Sequence, residues 1–349
     1  MTRIEFPGPV LAAPMAGGAG TPALLAACGG GFLAAGYLAP DDLAARVAEV
    51  RAGGGWFGVN LFAPSPTPAD AGALHRYLEE LRPEFAVYGL SPALPPAPDD
   101  DHWAAKLDLL LADPVPAVSF TFGVPPAATV AALRRAGTLV LQTVTNPAEA
   151  LAAAEAGVDA LVVQASAAGG HSATLTPSQP LGAASLPELV AAVLAVTPLP
   201  VVAAGGLASC ADVAAALHAG AAATMVGTAL LRTDEAGTSA PHRAALTAAL
   251  SAALSAAASG GGPAGGHDTV VTRAFTGRPA RALRNGFIDR HDATAPLGYP
   301  QIHHLTGPLR RAAAAAGDTD RVHLWAGTGH RHAATGPAAA VIATLTAAL

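Results

Sequence analysis

The fold is decided by two stretches in the second half of the chain, Pro200-Val-Val-Ala-Ala-Gly205-Gly206 and Ala222-Ala-Thr-Met-Val-Gly227-Thr228. In each, a short apolar run typical of a buried strand leads directly into glycine. In a (β/α)8 barrel, the loops after the last two strands commonly bind a phosphate through backbone N–H groups. Glycine lets the backbone approach the anion closely, and the Thr228 hydroxyl can add a hydrogen bond. The alternative is that these glycines only permit tight turns.

Outward from these stretches, short apolar runs alternate with alanine-rich helical runs, which is the pattern of parallel βαβ units. Helices are predicted to begin at the cap residues Thr21, Asn146 and Ser209, and to end at Gly157 and Gly220. A ninth apolar run, residues 85–89, could replace one of the eight predicted strands. These strands are residues 10–13, 31–36, 56–62, 117–122, 138–144, 160–165, 200–204 and 222–226. The pattern predicts an α/β protein with a TIM (β/α)8 barrel.

The alternation stops after strand eight, and this change sets the predicted domain boundaries. Residues 1–228 are interpreted as the cofactor-binding barrel, and residues 229–320 as a smaller, mainly helical cap or insert over the barrel mouth. A helix is expected over residues 240–258, followed by a flexible glycine-rich stretch at residues 260–266. Residues 321–349 are interpreted as a C-terminal segment that returns to the barrel, ending in a helix.

Composition excludes several classes of function. The net charge is −6 and no basic stripe is present, which argues against nucleic acid and against an anionic membrane surface as partners. The only lysine, Lys106, is placed on the surface of an amphipathic helix, so a lysine Schiff base is not expected. Cys28 and Cys210 fit small buried residues, and a cytoplasmic location follows as the default. Residues 6–40 carry no charge, but prolines and glycines interrupt them too often for a membrane span.

Chemistry is expected at the carboxyl ends of the strands, where active sites of these barrels lie. His171 follows the sixth strand after Gly169-Gly170 and could act as a base or a hydrogen-bond donor near neutral pH, or be merely structural. Asn60 and Gln164 are strand-end amides that could hydrogen-bond to the carbonyl and N–H edges of a flavin ring. The alternative is that they are buried amides whose hydrogen bonds are all made within the protein. The other histidines lie near the cap without carboxylates at metal-ligand spacing, so no metal site is predicted.

Together these segments resemble the nitronate monooxygenase family, also called 2-nitropropane dioxygenases, whose members are FMN-dependent barrels. The resemblance spans nearly the whole chain, and the element ending in Gly169-Gly170-His171 is its most specific part. The other matching segments are Ala13-Pro14-Met15-Ala16-Gly17, Phe57-Gly-Val-Asn60, Ala203-Ala-Gly205-Gly206, Val226-Gly227-Thr228-Ala229, Tyr299-Pro300-Gln-Ile-His303-His304 and Leu324-Trp325-Ala-Gly327-Thr328-Gly329.

The resemblance implies that His171 is the catalytic residue and that FMN is held by the loops after the strands. The implied FMN-binding residues are Pro14, Met15, Ala16, Asn60, Gln164, Gly169, Gly170, Gly205, Gly206, Met225, Val226, Gly227 and Thr228. Two departures stand out. Ser172-Ala173 replaces the arginine or isoleucine and glycine common after the histidine, and Met225 replaces a glutamine, which leaves only backbone contacts there.

Three hypotheses follow. The first is FMN-dependent oxidation of alkyl nitronates, such as propionate 3-nitronate, with O2. The second is an NAD(P)H-dependent FMN reductase acting on quinones or an enoyl thioester, and the third is a barrel that binds a phosphorylated ligand without redox turnover. All three predict a small-molecule ligand; the sequence leaves the physiological substrate and the oligomeric state, a homodimer included, open.

Overall fold

The computed structural model describes residues 4–64, 69–94, 99–258 and 268–349. Eight parallel strands close a barrel, with the last pairing to the first. They are β1 (Val10–Ala12), β2 (Gly31–Ala34), β3 (Phe57–Phe62), β4 (Ala117–Thr121), β5 (Leu139–Val144), β6 (Ala160–Gln164), β8 (Val201–Ala204) and β9 (Ala223–Val226). The predicted barrel of eight strands is therefore confirmed, with bounds that differ by one or two residues.

Helices surround the barrel and pack on the outward side chains of its strands. They are α1 (Pro22–Ala27), α2 (Pro40–Gly53), α4 (Trp103–Ala112), α5 (Ala127–Arg135), α6 (Pro147–Glu155), α7 (Leu186–Leu194), α8 (Cys210–His218) and α12 (Ala338–Thr346). A further helix, α3 (Ala71–Ala86), follows β3 but packs elsewhere. The predicted caps are present, since the side chains of Thr21, Asn146 and Ser209 each accept a hydrogen bond from a backbone N–H of the first turn. Inside the barrel, Leu11, Phe32 and other inward residues form a separate apolar layer.

The alternative strand at residues 85–89 is wrong. Phe85 is a buried residue in the last turn of α3, and the following residues form the turn that ends this helix. An apolar run of this length does not distinguish a strand from the buried end of a helix. By contrast, the uncharged N-terminal stretch forms β1, α1 and β2, as predicted. No helix in the described ranges is long and apolar enough to cross a membrane.

The segment between β9 and α12 covers the mouth of the barrel. Its helices are α9 (Ala240–Ala258), α10 (Gly286–His291) and α11 (Gln301–Ala315). It also contains β10 (Thr269–Thr272) and β11 (Ala280–Leu283), which were not among the predicted strands because they do not alternate with helices as the barrel strands do. These strands form an antiparallel sheet with β7 (Gly170–His171), in the order β10-β11-β7. The predicted flexible stretch, residues 260–266, lies outside the described residues.

The cap has its own apolar core, in which the rings of Phe275 and Phe287 stack with centroids 4.6 Å apart. Helix α3 contributes to this core through Leu81 and its neighbours, so it packs on the cap. The tail helix α12 packs against α8 and β1 and buries Val341 and Leu345. The cap and the barrel are thus joined by packing at several positions along the chain.

The prediction that Lys106 lies on a helix surface is wrong. Its side chain is 1% exposed, and Nζ donates to the carbonyl oxygen of Ala35 at 2.9 Å and pairs with Asp101 at 2.7 Å. Because lysine can bury its methylene chain when the ammonium group has partners, a helix pattern alone does not reveal the burial.

Candidate active site

A cavity of about 500 Å³ lies between the carboxyl ends of the barrel strands and the cap. All the residues proposed from the sequence line it. They are Pro14, Met15, Ala16, Asn60, Gln164, Gly169, Gly170, His171, Gly205, Gly206, Met225, Val226, Gly227 and Thr228. A cavity of this size at this end of a barrel is suited to a cofactor and a small substrate.

The glycine loops after β8 and β9 form one wall of the cavity, together with a segment near the C-terminus. Gly205 has φ +103°, and a Cβ there would lie 2.8 Å from the carbonyl oxygen of Ala165. Thr228 Oγ1 accepts a hydrogen bond from the backbone N–H of Gly327 at 2.9 Å, so its own proton is left to donate. The donors and the close backbone packing suit a phosphate group.

The two strand-end amides already have partners within the protein. Asn60 is buried, and its Nδ2 donates to the hydroxyls of Ser119 and Thr121, both at 2.9 Å. Gln164 Oε1 accepts from Ala173 N at 2.8 Å, and its Nε2 donates to the carbonyl oxygen of His171 at 3.2 Å. Gln164 therefore positions the segment that carries His171, besides lining the cavity.

His171 lies on β7, the strand that joins the cap sheet. Its Nε2 lies 2.9 Å from the hydroxyl of Thr276, and its ring is 5.4 Å from both Tyr299 and Trp325, measured between centroids. Burial, followed by the nearby positive charges of Arg278 and Arg310, lowers the pKa of His171 to about 3. The imidazole is therefore neutral at neutral pH.

The backbone after His171 is held by a buried arginine and a buried glutamate. Arg278 is 1% exposed, lies over the ring of Phe122 at 4.0 Å, and donates to the carbonyl oxygens of Ser172 and Thr174. Glu149 accepts from Thr174 Oγ1 at 2.9 Å and from the backbone N–H of Leu175 at 2.8 Å. The Ser172-Ala173 departure thus lies in a rigid, buried segment.

Several residues of the cavity wall were not selected from the sequence. Tyr37 lies three residues after the end of β2 and stacks on His303, with centroids 4.1 Å apart and planes 4° from parallel. Arg310, seven residues after His303, lies on the same helix, and His242 and His323 also line the wall. Tyr37 could have been found as a polar residue just after a predicted strand. His303 stands in a segment that carries the family resemblance, whereas Arg310 was detectable only as a residue on the same helix face.

Polar groups in this wall do not suggest a metal centre. Within the described ranges, no group of three or more histidine, cysteine, aspartate or glutamate side chains could hold a metal ion. His303 and His323 instead lie beside the guanidinium of Arg310, at 3.2–3.3 Å from its terminal nitrogens.

A closed barrel with a capped cavity at the carboxyl ends of its strands defines an enzyme of the (β/α)8-barrel class. The family model described as nitronate monooxygenase matches residues 1–348, and the chain belongs to this family. Members are in general flavoenzymes, so the protein is an oxidoreductase.

Curated and solved relatives agree with this assignment. A probable nitronate monooxygenase of Staphylococcus aureus (strain Newman) is 31% identical, in a match that covers 99% of this chain and 94% of the relative. The solved structure of nitroalkane oxidase from Streptomyces ansochromogenes is 45% identical with a TM-score of 0.89, covering 98% of this chain and 95% of that one. FabK from Thermotoga maritima is more distant, with 25% identity, a TM-score of 0.71 and coverage of 97% and 91%.

Proposed function

We propose that the protein oxidises alkyl nitronates with FMN as cofactor and O2 as oxidant. The observation that carries the proposal is His171, neutral at neutral pH, on the wall of a capped cavity that is also lined by glycine loops suited to a phosphate. The family supports the redox class, and the arrangement of the side chains supports the choice of nitronate as substrate.

The residues present fit FMN. Backbone N–H groups around Gly205, Gly206 and Gly227, with the Thr228 hydroxyl, would hold the phosphate. Asn60 and Met15 line the cavity wall where the ring system would lie. Bound flavin would supply the redox chemistry, taking an electron from the nitronate and delivering it to O2.

His171 is suited to binding an anion that is already formed. A histidine with a pKa of about 3 is a weak base, because the driving force for taking a proton from a neutral nitroalkane falls with the pKa of the base. With Nε2 engaged by Thr276, Nδ1 is the ring nitrogen left for a ligand. We therefore assign His171 the role of hydrogen-bonding the nitronate oxygens, in the tautomer that carries the proton on Nδ1.

Aromatic rings packed around His171 exclude water from it and hold its ring toward the substrate. Phe122, Tyr299 and Trp325 surround His171 at centroid distances of 5.4–5.6 Å. In this apolar surrounding, a hydrogen bond to an anionic oxygen is stronger than it would be in water.

The test is an anaerobic visible spectrum of the purified, FMN-loaded protein before and after addition of propionate 3-nitronate. Loss of the oxidised flavin absorbance, and recovery on admission of air, is the expected result. His171→Ala should retain FMN and lose turnover. Flavin that ignores the nitronate and is bleached by NADPH would reject the proposal and select the NAD(P)H-dependent FMN reductase, with quinones or an enoyl thioester as the class of acceptor.

A further inference from the structure

Arg310 is a buried cation in the cavity wall, and the described part of the chain gives it no anionic partner. Its side chain lines the cavity and is 7% exposed. Nε donates to Thr306 Oγ1 at 3.1 Å, and one terminal nitrogen donates to the carbonyl oxygen of His303 at 2.8 Å. Among the residues that the structure describes, no aspartate or glutamate forms an ion pair with it.

Arg278, the other buried arginine of the cap, donates to backbone carbonyl oxygens and, unlike Arg310, is not part of the cavity lining. Two less buried arginines of the cap have carboxylate partners. Arg290 and Arg321 both pair with Glu84, and each has a second carboxylate, Asp320 or Asp318. A buried charge without a counterion costs several kcal/mol, so such groups are normally paired. Arg310 is surrounded instead by the neutral rings of His303 and His323. Burial lowers the pKa of Arg310 to about 10, which leaves it charged at neutral pH.

The missing negative charge would be supplied by a ligand. The cofactor phosphate is a poor candidate, because the hydrogen bonds found for Arg310 are with Thr306, His303 and His323 and not with the glycine loops after β8 and β9. Arg310 and His171 line the same cavity, and the charge of Arg310 acts on His171. The guanidinium of Arg310 is therefore near His171, the residue that we assign to hydrogen-bond the nitronate oxygens.

We propose that the guanidinium of Arg310 binds the anionic group of the substrate. The site would therefore prefer planar anions, nitronates in particular, to uncharged nitroalkanes of the same shape. The inference rests on the proposed function for the identity of the substrate, but not for the binding of an anion. Guanidinium groups suit a planar two-oxygen anion because their donors form a fork of matching geometry.

The first experiment uses an unreactive pair of ligands, propionate and its neutral isostere propionamide. Their dissociation constants are measured from difference spectra of the bound flavin, and from the rise in Tm that each ligand causes. Arg310→Met should weaken propionate about 10- to 100-fold, as expected for a lost hydrogen bond to a charged group, and leave propionamide unchanged. Arg135→Gln, which removes an exposed arginine from α5, is the matched control for net charge.

Stability separates this role from a structural one. Without ligand, Arg310→Met should have a Tm no lower than that of the parent, because an uncompensated buried charge is replaced by an apolar side chain of similar length. A lower Tm with equal weakening of propionate and propionamide would overturn the inference, as would loss of FMN from the variant. If the methionine variant does not fold, Arg310→Gln, which removes the charge and keeps a hydrogen-bond donor, decides: propionate must weaken relative to propionamide, and an unchanged preference for propionate overturns the inference.

The proposed function is tested separately by turnover of ethyl nitronate. Turnover by the parent with an unchanged KM in Arg310→Met rejects the role of Arg310 and leaves the proposed function in place. Absence of turnover in the parent, with propionate still bound through Arg310, rejects the proposed function and supports the anion site.

Discussion

The Nζ atom of Lys106 lies 2.7 Å from Oδ2 of Asp101, in an ion pair whose lysine is almost completely buried. The other carboxylate oxygen of Asp101 accepts the backbone N–H of Tyr37 at 2.8 Å. Tyr37 has φ +69°, a conformation that most side chains avoid. The only lysine of the chain therefore holds, through Asp101, an unfavourable backbone conformation at the wall of the cavity.

Replacing this lysine should destabilise the protein strongly. Lys106→Met leaves the partly buried Asp101 carboxylate, 16% exposed, without its ammonium partner, and we expect a loss of about 3 kcal/mol in the free energy of unfolding, measured in urea. The control is Arg51→Gln, which breaks an ion pair with Asp113 whose side chains are 43% and 61% exposed. An exposed pair contributes about 0–1 kcal/mol, so equal losses in the two variants would contradict the assignment.

Thr276 should control the orientation of His171. In Thr276→Val the partner of Nε2 is removed while the shape of the side chain is kept, and we expect kcat to fall roughly tenfold with FMN binding unchanged. Thr276→Ser keeps the hydroxyl and should restore most of the rate. A valine variant with normal kcat, or one whose serine counterpart is equally slow, would show that this contact does not position the imidazole.

Gly205 should be essential for cofactor binding. An alanine there would combine a left-handed backbone with a Cβ 2.8 Å from Ala165 O, so the loop must move and FMN affinity should fall at least about tenfold. Gly137→Ala is the matched control, since Gly137 has φ +87° and open space around its Cβ position. Both variants should lose stability, but only Gly205→Ala should lose FMN in equilibrium dialysis.

Acid should weaken the cluster of Glu84, Arg290, His291 and Arg321, which joins α3 to the cap. Burial raises the pKa of Glu84, but hydrogen bonds from Arg290, His291 and Arg321 outweigh it and bring the pKa to about 2. Because this folded-state pKa lies below the unfolded value, the stabilisation is complete above about pH 4.5 and is lost as the pH falls toward 2.

Glu84→Gln should accordingly cost about 3 kcal/mol at pH 7, and the difference from the parent should shrink steadily below pH 4.5. Stability curves in urea at pH 7, 4 and 3 measure this change. A difference that stays constant over this range would mean that packing, and not charge, is lost in the variant.

The barrel was predictable because it follows from local chemistry repeated along the chain. Each strand is a short apolar run, and caps such as Asn146 and Ser209 mark where helices start. The cavity wall contributed by these strands could be selected for the same reason, since Asn60 lies in the second half of β3, Gln164 ends β6 and Gly205 follows β8.

The cap side of the cavity could not be predicted in this way. Arg310 and His323 reach the wall only through the packing of α11 and the tail, and β11 pairs with two residues that precede it by more than a hundred positions. Lys106 was misplaced because its partner Asp101 sits in an irregular loop with φ +58°. Contacts of this kind depend on tertiary structure, which periodicity does not encode.

The pairing of β7 with β11 also has a consequence for protein engineering and for divergence within the family. The backbone N–H of Ser172, next to His171, donates to the carbonyl oxygen of Pro279 in the cap at 2.8 Å. The orientation of His171 is therefore set by the cap as well as by the barrel. A chimera that receives the cap of a relative would inherit a new histidine orientation, even with every barrel residue unchanged. Exchange of the cap together with the segment after β6 is therefore the smallest transplant that preserves this geometry.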